Sequence, residues 1–165
     1  MKSFFGENLR TMRKSLNLSI KRFSELTGVS QATIVNVEQG HTGLKIETME
    51  RLISFTNFTV ENVRSREFKI PSDLQSQLFM MHRNDMEKRE YFMKKPKILD
   101  VIDKELINSI FFKSPREIND IVAYFADMGW KILGTSLQNE LKKHPDVQID
   151  PHPTKKKTNL YKAKK

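Results

Sequence analysis

The sequence predicts a mainly α-helical chain in two parts: five short helices, a connecting helix, and three further helices that close on a small β-hairpin. Three observations point there. Apolar residues recur every three or four positions along most of the chain, and serines and glycines stand where helices would begin and end. Only after Pro145 does the apolar spacing change to alternation.

The first helix is expected from Phe4 to Ser15, because Phe5, Leu9, Met12 and Leu16 form one stripe, with Arg10, Arg13 and Lys14 elsewhere. Asn17 breaks it. Ser19 suits the N-cap of a second helix, Ser19 to Thr27, with Phe23 and Leu26 inward. Gly28 follows where a left-handed backbone favours glycine, and Val29 turns into the core. Ser30 then caps a third helix, in which Ile34 and Val37 face inward while Gln31, Ala32, Thr33, Val35 and Asn36 stay outside. Gly40 ends it, Glu47 to Phe55 forms a fourth helix, and a short turn near Val60 to Val63 a fifth.

The charge pattern points to a polyanionic partner. The net charge is +9, and residues 1–66 carry 10 basic against 6 acidic residues, 67–130 carry 10 against 11, and 131–165 carry 9 against 3. Basic ends therefore flank a neutral middle, as suits a surface that releases counterions from nucleic acid, although a merely solvated surface has the same composition. Without cysteine there is no disulfide framework, thiolate metal site or cysteine nucleophile. No run approaches the roughly 18 apolar residues of a membrane span, and Met1 to Phe5 leads into polar Glu7 and Asn8 rather than a signal-peptide core. No membrane association is expected, and the chain reads as cytoplasmic.

Residues 4–63 resemble the Cro and phage-repressor (XRE) type of helix-turn-helix domain found in bacterial and phage transcription regulators. The carriers are Leu9 and Arg13, Leu18-Ser19, the turn Glu25-Leu26-Thr27-Gly28-Val29-Ser30, Ile34, and Val37-Glu38-Gln39-Gly40. The resemblance implies a five-helix, lambda-repressor-like domain whose third helix enters the major groove of double-stranded DNA in a nucleoid-associated protein. Gln31 and Asn36 then become adenine readers, and Ala32 and the Thr33 methyl suit a thymine methyl. Lys21, Arg22, Ser30, Gln39 and Thr42 are the candidate phosphate contacts. Ile20 departs from the glutamine common at that position, where it would hold a phosphate and buttress the first reader. Arg13 and Glu38 match positions that often pair, as scaffold.

A boundary is expected between Arg64 and Pro71, giving domains over 1–66, 67–95 and 96–165. Ser72 or Asp73 would cap a connecting helix to about Lys95, with Leu74, Leu78 and Met81 as its stripe. Phe79, Phe92 and the methionines Met80, Met81, Met86 and Met93 need a partner surface, either a homodimer seam or one of the chain's own domains. Beyond Pro96, Ile98, Val101, Ile102, Leu106 and Ile110 keep helical spacing, and Ser114-Pro115 would start a helix carrying Ile118, Ile121, Val122 and Phe125. Thr135 would cap another helix, with Leu137 and Leu141 inward. Alternating Val147 and Ile149, the basic loop 151–157, and the stretch from Asn159 to Ala163 complete a hairpin.

Three helices and a basic hairpin resemble a winged-helix domain. If it binds DNA, Gln138, Asn139 and Lys142 would face the groove and Lys155, Lys156 and Lys157 the phosphates. Many such domains grip proteins instead, so an antitoxin-like or adaptor module, holding a protein partner through 96–165 and tethered by its helix-turn-helix, is the alternative to a repressor. No enzyme, cofactor or metal is expected, since His41, His82, His144 and His152 lack ligand spacing and no phosphate loop or GxSxG is present. Asp85/Glu87 and Asp100/Asp103 read as charged helix faces rather than nuclease metal ligands.

Overall fold

A computed structural model describes residues 3–41 and 43–165 and divides the chain into two compact units, Met1–Phe92 and Met93–Lys165. The first opens with the expected helices, α1 (Phe5–Ser15), α2 (Ile20–Thr27), α3 (Gln31–Glu38), α4 (Ile46–Ile53) and α5 (Val60–Arg64). Their ends follow local chemistry. Ser19 and Ser30 each accept a hydrogen bond from the backbone amide three residues on, at 3.2 Å, and Thr59 and Asn62 cap α5 reciprocally. Asn17 (φ 55°) and Gly28 (φ 66°) are left-handed, which ends α1 and sets the turn into α3.

Phe5, Leu9 and Met12 of α1, Phe23 of α2, Ile34 and Val37 of α3, Leu52 and Ile53 of α4, Phe55 and Val63 are all buried. Gly6 lets α1 and α3 approach closely, since a Cβ there would lie 1.9 Å from the Val37 carbonyl oxygen. Asn8 ties α1 to the chain around α5 by donating to the Val63 and Ser65 carbonyls, both at 2.8 Å.

The expected connecting helix is not continuous. It consists of α6 (Leu74–Met81), α7 (Met86–Arg89) and a 3-10 turn, Glu90–Phe92. The break falls at residues 82–85, where Asp85 caps α7 by accepting from the Lys88 amide at 3.0 Å. This segment belongs to the first unit: Phe55 stacks on Phe92 at 5.9 Å, and the His82 ring stacks on Phe92 with Nε2 2.7 Å from the Phe55 carbonyl. Leu74, Leu78 and Phe79 are buried, whereas Met81, expected inward, stays exposed with Met80 and Met86.

The second unit contains α8 (Ile98–Val101), α9 (Ile118–Asp127), α10 (Gly134–Lys143), β1 (Val147–Pro151) and β2 (Asn159–Ala163). It begins before Pro96, because Lys94 pairs with the turn between α9 and α10 through hydrogen bonds with Gly129 and Lys131, both 2.8 Å. After α8 the chain widens into a π-turn, Ile102–Leu106. Ile102 and Leu106 are buried, but the helix ends at Leu106 and Ile110, expected on the same stripe, lies in the bend that follows and is 83% exposed.

Ser114-Pro115 does not start α9. The Arg116 backbone instead exchanges two 2.9 Å hydrogen bonds with Tyr161 of β2, and the Asp120 carboxylate accepts from the Glu117 amide at the true start. Likewise α10 starts at Gly134, with Thr135 already inside it and no side-chain cap at its start. β1 and β2 are antiparallel, with Val147 opposite Ala163 and Ile149 opposite Tyr161. Val101, Ile102, Leu106, Phe112, Ile121, Phe125, Ile132, Leu137, Leu141, Val147 and Tyr161 form this unit's core. Among the described residues, no helix is long and apolar enough to cross a membrane.

Candidate nucleic-acid interface

The exposed face of α3 is held from behind by an ion pair. Arg13 on α1 donates from Nε to Glu38 Oε1 at 2.6 Å and from Nη2 to Oε2 at 2.8 Å, while Nη1 donates to the Leu18 carbonyl at 2.8 Å. The hydrogen bond to Glu38 raises the Arg13 pKa above its ordinary value, against the opposing effect of burial. Both ends of α3 are thus fixed, by Ser30 at the start and by Glu38 at the finish. Arg51 adds a brace behind the turn, donating from Nη2 to the Gly28 carbonyl at 2.6 Å.

On the outer side of α3, Gln31, Ala32, Val35 and Asn36 are exposed and Thr33 is half-buried. Among the described residues, the carboxamides of Gln31 and Asn36 have no hydrogen-bond partner. Their donor and acceptor pairs remain available to an outside ligand. The Thr33 hydroxyl lies 2.8 Å from Ser30 Oγ, which leaves the methyl as its principal offering. Of the expected backbone contacts, Lys21 is exposed, and Arg22 stacks over the Tyr91 ring at 4.2 Å and pairs with Glu25 at 3.7 Å. Gln39 Oε1 sits 3.2 Å from His41 Nε2. Thr42 lies outside the described residues.

Residues 9–61, which span this helix pair, match the family model described as helix-turn-helix. The N-terminal unit contains a helix-turn-helix domain of the Cro and phage-repressor (XRE) type. A helix-turn-helix is a DNA-binding unit, so the match assigns that chemistry to residues 9–61. No curated protein and no solved structure matches the chain. Within the matched residues, α2 and α3 are the two helices on either side of the Gly28 turn.

In the second unit the expected surface divides into engaged and available side chains. Gln138 donates to the Tyr161 hydroxyl at 3.0 Å and so braces α10 against β2. Lys155 is hydrogen-bonded to the Glu117 carboxylate, which also lies 3.3 Å from His152 Nε2. These contacts lock the hairpin loop onto the start of α9, and they lower the Glu117 pKa, chiefly through the Lys155 hydrogen bond. Asn139, Lys142, Lys156 and Lys157 are exposed, and among the described residues their side chains make no ion pair or hydrogen bond.

The remaining histidine serves the scaffold. His144 is buried: its Nδ1 accepts from the Asp146 amide at 3.1 Å, which leaves the proton on Nε2 for Asp103 Oδ1 at 2.7 Å. Asp85 caps α7, and among the described residues no His, Asp or Glu cluster could hold a metal ion. The Glu117 clasp lies beyond the sequence reading, because it joins residues 38 positions apart with no local pattern to announce it.

Proposed function

We propose that this chain is a sequence-specific transcriptional repressor of bacterial or phage type, which acts by occupying promoter DNA with α3 in the major groove. The observation that carries this reading is the pair of unpartnered carboxamides, Gln31 and Asn36, on a helix pinned at both ends. Each can bond adenine N6 and N7 in two-pronged fashion, and each such contact discriminates by about 1–3 kcal/mol. Lys21, Arg22, Ser30 and Gln39 set register on the phosphates. The second unit acts as a winged-helix-like module, supported by α9, α10 and a hairpin whose β2 also pairs with Arg116. Asn139, Lys142, Lys156 and Lys157 supply it with phosphate contacts. Selection of bound fragments from random DNA at moderate salt tests the reading, and recovery of no enriched sequence overturns it.

A second reading rests on Ile110 and Leu133, which are 83% and 69% exposed in the second unit. A protein partner bound to that unit would cover these two side chains. A stoichiometric complex lost in Ile110→Ser and Leu133→Ser, with DNA binding intact, would support it.

A further inference from the structure

Resting on the major-groove reading of α3, we propose that this helix selects a run of A·T base pairs, and that Val35 recognises a thymine methyl beside the adenine held by Gln31. The chemistry exposed on α3 is narrow. Its sequence, QATIVNVE, holds no lysine or arginine, so the usual two-pronged donors to guanine O6 and N7 are missing from it. Its one acid, Glu38, would be the acceptor for cytosine N4, but both carboxylate oxygens are occupied by Arg13. What remains is two carboxamides, which match adenine, and the apolar surface of Ala32, Val35 and the Thr33 methyl, which matches thymine.

Val35 is the most informative of these. It is 36% exposed and lies on the outer side of the helix, while Ile34 and Val37 beside it are buried. Most of the Val35 side chain is covered within the fold, and the part left exposed is apolar surface open to an outside group. Gln31 and Val35 are four residues apart and so lie on one helix face, about 6 Å apart along the axis. Bases on one strand are stacked about 3.4 Å apart, so the two side chains fall within two base steps of each other. Asn36 extends the same face for a second adenine.

The test uses the full chain. DNA selected at moderate salt should be enriched in contiguous A·T pairs within its contacted core. In the best site, each thymine is replaced in turn by deoxyuridine, which removes only the C5 methyl. At one position the affinity should fall about three- to fivefold, the worth of roughly one buried methyl. At that position Val35→Ala, checked by an unchanged melting temperature, should bind thymine and deoxyuridine equally, while Gln31→Ala should retain the deoxyuridine penalty. An enriched core of G·C pairs, indifference to deoxyuridine at every position, or a full penalty surviving in Val35→Ala each overturns the proposal while leaving sequence-specific binding standing. Absence of any enriched sequence overturns that underlying reading as well.

Discussion

The Arg13 guanidinium and the Glu38 carboxylate meet edge to edge, with Nε and Nη2 on opposite oxygens at 2.6 and 2.8 Å and side-chain exposures of only 10% and 7%. Two parallel bonds fix angle as well as distance, so the pair sets how the end of α3 sits on α1. Arg13→Ala should cost about 3 kcal/mol of stability, because it strands a buried carboxylate. Arg13→Lys should recover little, since an ammonium cannot reproduce the planar fork. Replacing both, Arg13→Met with Glu38→Leu, should restore much of the loss, as read by urea unfolding. Full additivity of the two single losses would show that the pair is not coupled.

Gly6 makes a harsher constraint, because the atom in the way of a side chain is backbone. A Cβ at this site would stand 1.9 Å from the Val37 carbonyl oxygen, far inside contact distance. Gly6→Ala should therefore push α1 and α3 apart and destabilise by about 1–3 kcal/mol despite alanine's better helix propensity. If α3 carries the reading face as proposed, DNA affinity should fall further than the loss of folded protein explains. Thermal unfolding together with binding at a temperature where the variant is folded would separate the two losses. Wild-type stability in Gly6→Ala would refute the close approach.

The clasp between the hairpin and α9 should show in the pH dependence of the second unit. Glu117 has its pKa lowered in the folded chain, first by the Lys155 hydrogen bond and then by the charges of Lys155 and His152. A lowered folded value means the contribution is fully present above the ordinary glutamate value of about 4.3 and is lost as pH falls through the lower folded one. Glu117→Gln should thus melt below the wild type at neutral pH and converge with it in acid. A gap between the two that stays constant from neutral pH into acid would contradict the clasp.

Most of the helix-turn-helix was legible because its determinants are local. Ser19, Gly28 and Ser30 act within three residues of themselves, and the structure places each in the role its chemistry suggests. The alternation of Val147 and Ile149 likewise announces a strand, since its period is set by the backbone. The misread elements depend on distant partners. Pro115 looks like the start of a helix until Tyr161, far along the chain, claims the Arg116 backbone. Ile110 looks buried until the helix ends at Leu106 and leaves it in the bend that follows. In the second unit, Gln138 and Lys155 have the right chemistry for DNA, but Tyr161 and Glu117 already engage them.

That division among the lysines makes the final prediction specific. Lys155 braces the hairpin through Glu117, whereas Lys156 and Lys157, next in the chain, have side chains with no partner among the described residues. If the hairpin lies on phosphates, Lys156→Gln with Lys157→Gln should weaken binding to all DNA sequences alike. The slope of log affinity against log salt should become shallower by about two, one for each phosphate contact released. The double variant should keep the wild-type melting temperature, because neither ammonium supports the fold. Lys155→Gln should behave differently, lowering the melting temperature through the lost clasp and moving the salt slope less. An unchanged salt slope in the double variant would remove the hairpin from the DNA interface and leave the second unit to a protein partner.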